Sequence, residues 1–130
     1  MAKLPSEPAE APAWRVLVVE DEFLVAADIA LMLQELGCHP VGPIGDLDAA
    51  MQAARDEPLD AALLDVNLHG RSALPVADAL AARDVPFVFC TGYGAQALPR
   101  HADAPRLAKP FQARELQRAI LALAQRRQGG

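Results

Sequence analysis

Two runs that are apolar at every position end on carboxylates. Val16-Leu17-Val18-Val19 closes on Glu20-Asp21-Glu22, and Ala61-Ala62-Leu63-Leu64 closes on Asp65. A short run without polar alternation must be covered on both faces, which makes it a strand of a parallel sheet packed between helices. In open sheets of that kind the carboxyl ends of the strands face the ligand crevice. Asp65 therefore has three open roles: a nucleophile, a metal ligand, or the cap of the turn that follows.

The rest of the chain supplies the helices and strands such a sheet needs. A helix is expected from about Phe23 to Leu36, where Gly37 stops it, with Val25, Ile29, Met32, Leu33 and Leu36 along one stripe. Leu24, Ala27 and Leu31 form a second apolar stripe that the core does not need, either scattered surface leucines or a partner-docking face. His39 to Val41 reads as a short strand, and Pro40 and Pro43 argue for an edge position in the sheet. Asp46 caps a helix to about Asp56, with Leu47, Ala50, Met51 and Ala54 inward. After the strand ending on Asp65 come a helix over Ala73 to Arg83, admitted by Pro75 in its first turn, and the strand Phe87-Val88-Phe89-Cys90.

A crossover helix is due next. Pro99 and Pro105 and the lack of an apolar stripe predict instead a loop or one weak turn over Ala95 to Pro105. Arg106-Leu107-Ala108 then ends on Lys109-Pro110, and a last helix runs from about Gln112 to Arg126 with Leu116, Ile120 and Leu123 inward. Right-handed crossovers turn this order into an α/β fold, a five-stranded parallel sheet with helices on both faces, in which the fourth helix is short or disordered. Three prolines and little to bury make residues 1–13 a disordered lead-in to one domain over 14–126, and residues 127–130 fray.

Several classes are excluded by the totals. A net charge of −5 over 130 residues gives no electrostatic reason to bind nucleic acid or anionic lipid. No stretch approaches the ~18 apolar residues of a membrane span, and the N-terminus lacks the apolar core of a signal peptide, so a cytoplasmic protein is expected. Cys38 and Cys90 lie in apolar surroundings and read as buried thiols outside any disulfide. His39, His69 and His101 are scattered at loops and strand ends, which argues against a histidine metal cluster. Gly92 and Gly94 lack the third glycine and following helix of a dinucleotide fingerprint.

If the strands are parallel, Glu20, Asp21, Asp65, Thr91 and Lys109 emerge on one edge. Carboxylates a few ångströms apart repel unless a cation joins them. A hard divalent ion such as Mg²⁺ accepts one or two carboxylates and keeps positions for phosphate oxygens. An ammonium and a hydroxyl beside that ion suit phosphoryl transfer onto a carboxylate.

These residues resemble the receiver domain of response regulators in two-component signalling, over roughly Arg15 to Gln125. The resemblance rests on Glu20-Asp21 after the first strand, then Asp65, Thr91 and Lys109-Pro110 ending the third, fourth and fifth. It implies Asp65 as phosphoacceptor, with Mg²⁺ held by Asp21, Asp65 and the backbone carbonyl of Asn67, and by Glu20 mainly through water. Lys109 would pair with the phosphoryl group, Thr91 would hydrogen-bond it, and Gly92 would keep the approach open. The side chains of Asn67 and Tyr93 would flank the path of hydrolytic water, and the Lys109-Pro110 bond would be cis. Phe89-Cys90-Thr91-Gly92-Tyr93-Gly94 looks like the F-x-T-G-x-G signature of the atypical "FATGUY" receivers, with Cys90 for the usual alanine. Arg106 stands where typical receivers carry a switch aromatic, so a coupled Thr-Tyr switch is not expected.

The implied protein is a stand-alone, monomeric signalling module, not an enzyme in the ordinary sense. Its partner would be a sensor histidine kinase, of the HWE type by the finer resemblance, or a phosphotransfer protein, docking on Leu24, Ala27 and Leu31. The segment 94–105 would become ordered on phosphorylation. Two alternatives come from other classes. A phosphatase of the haloacid dehalogenase type wants a second acid two residues after its nucleophile, where this chain has Asn67. A non-phosphorylated pseudo-receiver adaptor would not need the acidic, hydroxyl and lysine set that is present.

Overall fold

The structure, a computed structural model, describes residues 13–92 and 98–129, with the side chains of 127–129 left aside. Most of the expected N-terminal tail, Tyr93 and Gly94, and the start of the expected loop lie outside these residues. Chain order is β1 (Arg15–Val19), α1 (Phe23–Glu35), β2 (His39–Ile44), α2 (Leu47–Asp56), β3 (Ala61–Asp65), β4 (Asn67–Leu68), β5 (Arg71–Ser72), α3 (Leu74–Ala82), β6 (Phe87–Thr91), β7 (Arg106–Ala108) and α4 (Ala113–Gly129). Five strands form one parallel sheet in the order β2-β1-β3-β6-β7. The connection from β1 goes outward to β2 and then returns across β1 to β3, so the switch point lies between β1 and β3.

The alternation of side chains along each strand divides the core in two. Leu17, Val19, Ala62, Leu64, Phe87 and Phe89 pack with α2 and α3 on one face. Val16, Val18, Ala61, Leu63, Val88 and Cys90 pack with α1 and α4 on the other. Burying both faces is why these runs carry no polar position until their last residue. Cys38 and Cys90 are buried and form no disulfide.

Four details differ from the pattern in the sequence. β2 continues to Ile44, because at the edge of the sheet Pro40 and Pro43 forgo ladder bonds at no loss. Its register with β1 shifts between Leu17 and Val19. Nearby, Gly42 has a φ of 100° and a Cβ there would lie 2.8 Å from the Ile44 nitrogen. On α1, Ala26 is buried with Ile29 and Leu33, while Val25 and Met32 are only partly buried; on α2, Ala53 is buried and Met51 partly so. α4 extends past Arg126 to Gly129. A two-residue turn at His69-Gly70 closes a small hairpin, β4–β5, directly after Asp65.

Among the described residues 98–105 there is no helix, in line with the prolines. This segment is instead tied to α3. Arg100 donates from Nε and Nη2 to the two oxygens of Asp78, at 3.2 and 2.8 Å, and His101 Nε2 lies 2.7 Å from Asp78 Oδ1. The His101 ring stands edge-on to Phe87, and Leu98 and Ala104 pack against the α2/α3 core. The Arg100 and His101 hydrogen bonds hold the Asp78 carboxyl below its ordinary range. Because Asp78 and Arg100 are about half exposed, Asp78→Ala is expected to lower global stability only slightly. It is also expected to speed amide exchange across 98–105 with little change in β1 or β3, as hydrogen-exchange mass spectrometry and urea titration would show.

Candidate functional site

Each strand of the sheet except edge strand β2 delivers a polar group to the same edge as its apolar run stops. β1 hands over to Glu20 and Asp21, β3 ends on Asp65, β6 on Thr91, and β7 leads into Lys109. Among the described residues, Glu20, Asp65 and Thr91 are the buried polar side chains. The Lys109-Pro110 peptide is cis, as expected. The Lys109 N–H donates to the Thr91 carbonyl at 2.8 Å, which ties the two strand ends together.

Carboxylate oxygens of Glu20, Asp21 and Asp65 all lie within 4.8 Å of one another. Lys109 Nζ donates to Glu20 Oε1 at 2.9 Å and lies 3.5 Å from Asp65 Oδ2 and 3.9 Å from Glu22 Oε1. Lys109 is therefore seated mainly on Glu20. The other Glu20 oxygen accepts the Glu22 N–H at 3.0 Å, which fixes the carboxylate from both sides. Asp21 Oδ2 accepts the His69 N–H at 2.9 Å, and Asp65 Oδ1 accepts that of Asn67 at 3.4 Å. The Asn67 side chain folds back, its Oδ1 accepting the Gly70 N–H at 2.8 Å within the hairpin. A Cβ at Gly92 would meet no atom within 4 Å, so open space lies there.

The charges follow from this crowding. Burial, and then the negative charge of Glu20, push the Asp65 carboxyl up to about 6 against the opposing pull of Lys109. At Asp21 burial acts upward too. It is outweighed by hydrogen bonds, chiefly from the His69 N–H, so this carboxyl sits below its ordinary range. Burial alone would lower Lys109; the Glu20 hydrogen bond and the charges of Asp65, Glu20 and Glu22 reverse that and raise it, which keeps it a cation at neutral pH. Cys90, the register partner of Asp65, is pushed up to about 12 by burial and stays a thiol.

Glu20, Asp21, Asp65 and Lys109 thus meet, with Thr91 joined to Lys109 through the backbone. Leu24, Ala27 and Leu31 lie apart from them, exposed on α1. Two neighbours were not legible as such: Glu22, which faces Lys109, and His69, whose Nδ1 lies 3.5 Å from Asp21 Oδ2. The signal for His69 was the short His-Gly turn, which brings the chain back beside the acidic pair.

The model of the response regulator receiver domain matches residues 16–121. This chain belongs to that family. The transcriptional regulatory protein PdtaR of Mycobacterium tuberculosis is 35% identical over 111 residues, 82% of this chain and 54% of PdtaR, so the chain spans about half the length of that relative. SdrG from Sphingomonas melonis Fr1 is 41% identical, with a TM-score of 0.78 over 88% of this chain and 98% of SdrG. The receiver domain of the sensor histidine kinase PA1611 from Pseudomonas aeruginosa, solved with a magnesium ion coordinated in the active-site cleft, is 30% identical, with a TM-score of 0.68 over 84% of this chain and 94% of that one. Receivers are signalling modules. Among the described residues no helix is long and apolar enough to cross a membrane.

A carboxyl raised from its ordinary value to about 6 binds a proton in the folded chain that the unfolded chain releases. The contribution of Asp65 to stability therefore falls as pH rises from about 4 through 6, and ionised Asp65 costs about 1–3 kcal/mol at neutral pH. Asp65→Asn is expected to raise the melting temperature at pH 7.5 without divalent cations and to have lost that advantage by pH 4, as calorimetry at the two pH values would read.

Proposed function

We propose that this domain accepts a phosphoryl group on Asp65 from a phosphohistidine of a sensor histidine kinase or phosphotransfer protein, with Mg²⁺ bound beside it. The observation that carries this reading is the convergence of Glu20, Asp21 and Asp65 within 4.8 Å, with Lys109 against them, at the end of β1 and β3.

The donor set fits a hard divalent cation. It is made of carboxylate oxygens gathered at one strand edge, with the Lys109 ammonium beside them. Asp21, Asp65 and the Asn67 carbonyl would hold the ion, with Glu20 acting mainly through water. When bound, Mg²⁺ supplies charge neutralisation for the phosphoryl oxygens and the nucleophile.

The chain's own residues do the rest. Asp65, once deprotonated, forms the new O–P bond as the donor's P–N bond breaks, and the imidazole keeps the electron pair. Lys109, already at 3.5 Å from Asp65, pairs with the phosphoryl charge, and the Thr91 hydroxyl donates to it. Glu20 acts as the resting partner that holds Lys109 until then.

The approach to this site supports the partner. A groove lined by Val25, Ile29, Met32, Pro110 and Phe111 runs from α1 to Lys109 and Gly92. Elsewhere on α1 Phe23, Leu24 and Leu31 are 82%, 78% and 54% exposed. A helical bundle that carries the phosphohistidine would bury this apolar face on α1, Ala27 included. The F-x-T-G-x-G stretch supports placing the chain with the FATGUY receivers and their HWE-type kinases.

Incubated with acetyl phosphate and Mg²⁺, the native chain is expected to gain one phosphoryl group by mass spectrometry and Asp65→Asn none. Equal labelling of the two would overturn the assignment. Mg²⁺ affinity should be flat above pH 7 and fall by up to about tenfold per pH unit below 6, because a proton must leave Asp65 for the ion to bind; isothermal titration at several pH values measures this. Leu24→Asp with Leu31→Asp should slow transfer from a phosphorylated kinase at least about tenfold. Labelling by acetyl phosphate and melting temperature should stay as in the native chain, since both side chains are exposed.

A further inference from the structure

Glu22 precedes α1 at a position best filled by Ser, Thr, Asp or Asn, yet its side chain makes no cap. Its backbone is nonetheless fixed from both sides. The N–H donates to Glu20 Oε2 at 3.0 Å, and the carbonyl accepts from the Ala26 N–H at 2.8 Å. The carboxylate is left 67% exposed and lies toward Lys109, with Oε1 3.9 Å from Nζ. It also lines the groove that opens onto Lys109 and Gly92, and Asp28 adds a second carboxylate to that lining. The ammonium at the inner end of the groove is already seated on Glu20. A phosphoryl donor that enters there passes a negative rim.

We propose that Glu22 selects the phosphoryl donor: it disfavours dianionic acyl phosphates and admits donors whose leaving group is a protonated nitrogen. The inference rests on the reading of Asp65 as phosphoacceptor. In both cases the Asp65 oxygen forms the new O–P bond. With acetyl phosphate the bond from phosphorus to the acyl oxygen breaks, and acetate leaves with the electron pair. With phosphoramidate or a phosphohistidine the P–N bond breaks instead, and the nitrogen takes the pair and leaves as neutral ammonia or imidazole. At neutral pH acetyl phosphate is a dianion, whereas the proton on its nitrogen makes phosphoramidate a monoanion. One unit of charge roughly 5 Å from Glu22 in water changes the local donor concentration about fourfold, and salt weakens the effect. The same carboxylate is free to accept a hydrogen bond from the leaving N–H. A receiver built this way takes its phosphate from a protein histidine in preference to free acyl phosphates.

The test measures initial phosphorylation rates by mass spectrometry at saturating Mg²⁺, with acetyl phosphate and with phosphoramidate. It compares the native chain with Glu22→Gln and with Glu35→Gln, Glu35 being an exposed acid at the far end of α1. In Glu22→Gln, kcat/KM for acetyl phosphate is expected to rise about threefold or more at low salt, while that for phosphoramidate stays level or falls. The gain should shrink in about 0.5 M salt as screening sets in. Glu35→Gln should match the native chain with both donors. Equal changes for the two donors in Glu22→Gln, no change for either, or the same gain in Glu35→Gln would overturn the proposal while leaving Asp65 as phosphoacceptor. A native chain labelled by neither donor would instead remove the phosphoacceptor reading, and this inference with it.

Discussion

The ion pair between Lys109 and Glu20 is the contact on which the working edge of this domain depends. It brings a cation from the end of β7 to a buried carboxylate after β1, bridging residues that β3 and β6 separate within the sheet. Without that cation, Glu20, Asp21 and Asp65 would face one another with only backbone N–H donors to offset their repulsion. Even with it, burial and then the charge of Glu20 hold the Asp65 carboxyl up at about 6.

The fold makes that arrangement affordable. Two apolar faces along β1, β3 and β6 bury the strands between helix pairs, and this fixes the positions at which the chain may turn polar. Parallel register then aligns the turning points: Val19 lies opposite Leu64, and Asp65 opposite Cys90. The carboxylates are neighbours because their strands are neighbours, at the switch point where the chain reverses direction across the sheet. Membership in the receiver family accords with that geometry.

Elsewhere the chain solves a local problem in its own way. Where a crossover helix would ordinarily cover the sheet between β6 and β7, residues 98–105 lie as an extended and turned segment held by Asp78 to α3. The tie and the edge-on contact of His101 with Phe87 anchor it against the core that Leu98 and Ala104 help to cover. Arg106 is exposed on β7.

The amino-acid sequence by itself determined the architecture and which polar groups stand at the strand ends. Continuous apolar runs have one way to be buried, and a run that stops on Asp65, Thr91 or Lys109 announces which group stands at the strand end. Edge placement of β2 was legible from Pro40 and Pro43 because proline removes a ladder donor. What only the tertiary structure decided are relations between segments distant in sequence: that Lys109 rests more closely on Glu20 than on Asp65, that Asp78 holds Arg100 and His101, and that a hairpin brings His69 against Asp21. Helix faces were read correctly only to within part of a turn, with Ala26 and Ala53 buried in place of Val25 and Met51. Periodicity states which side of a helix is apolar; the rotation of that side about its axis is settled by the neighbour it packs against.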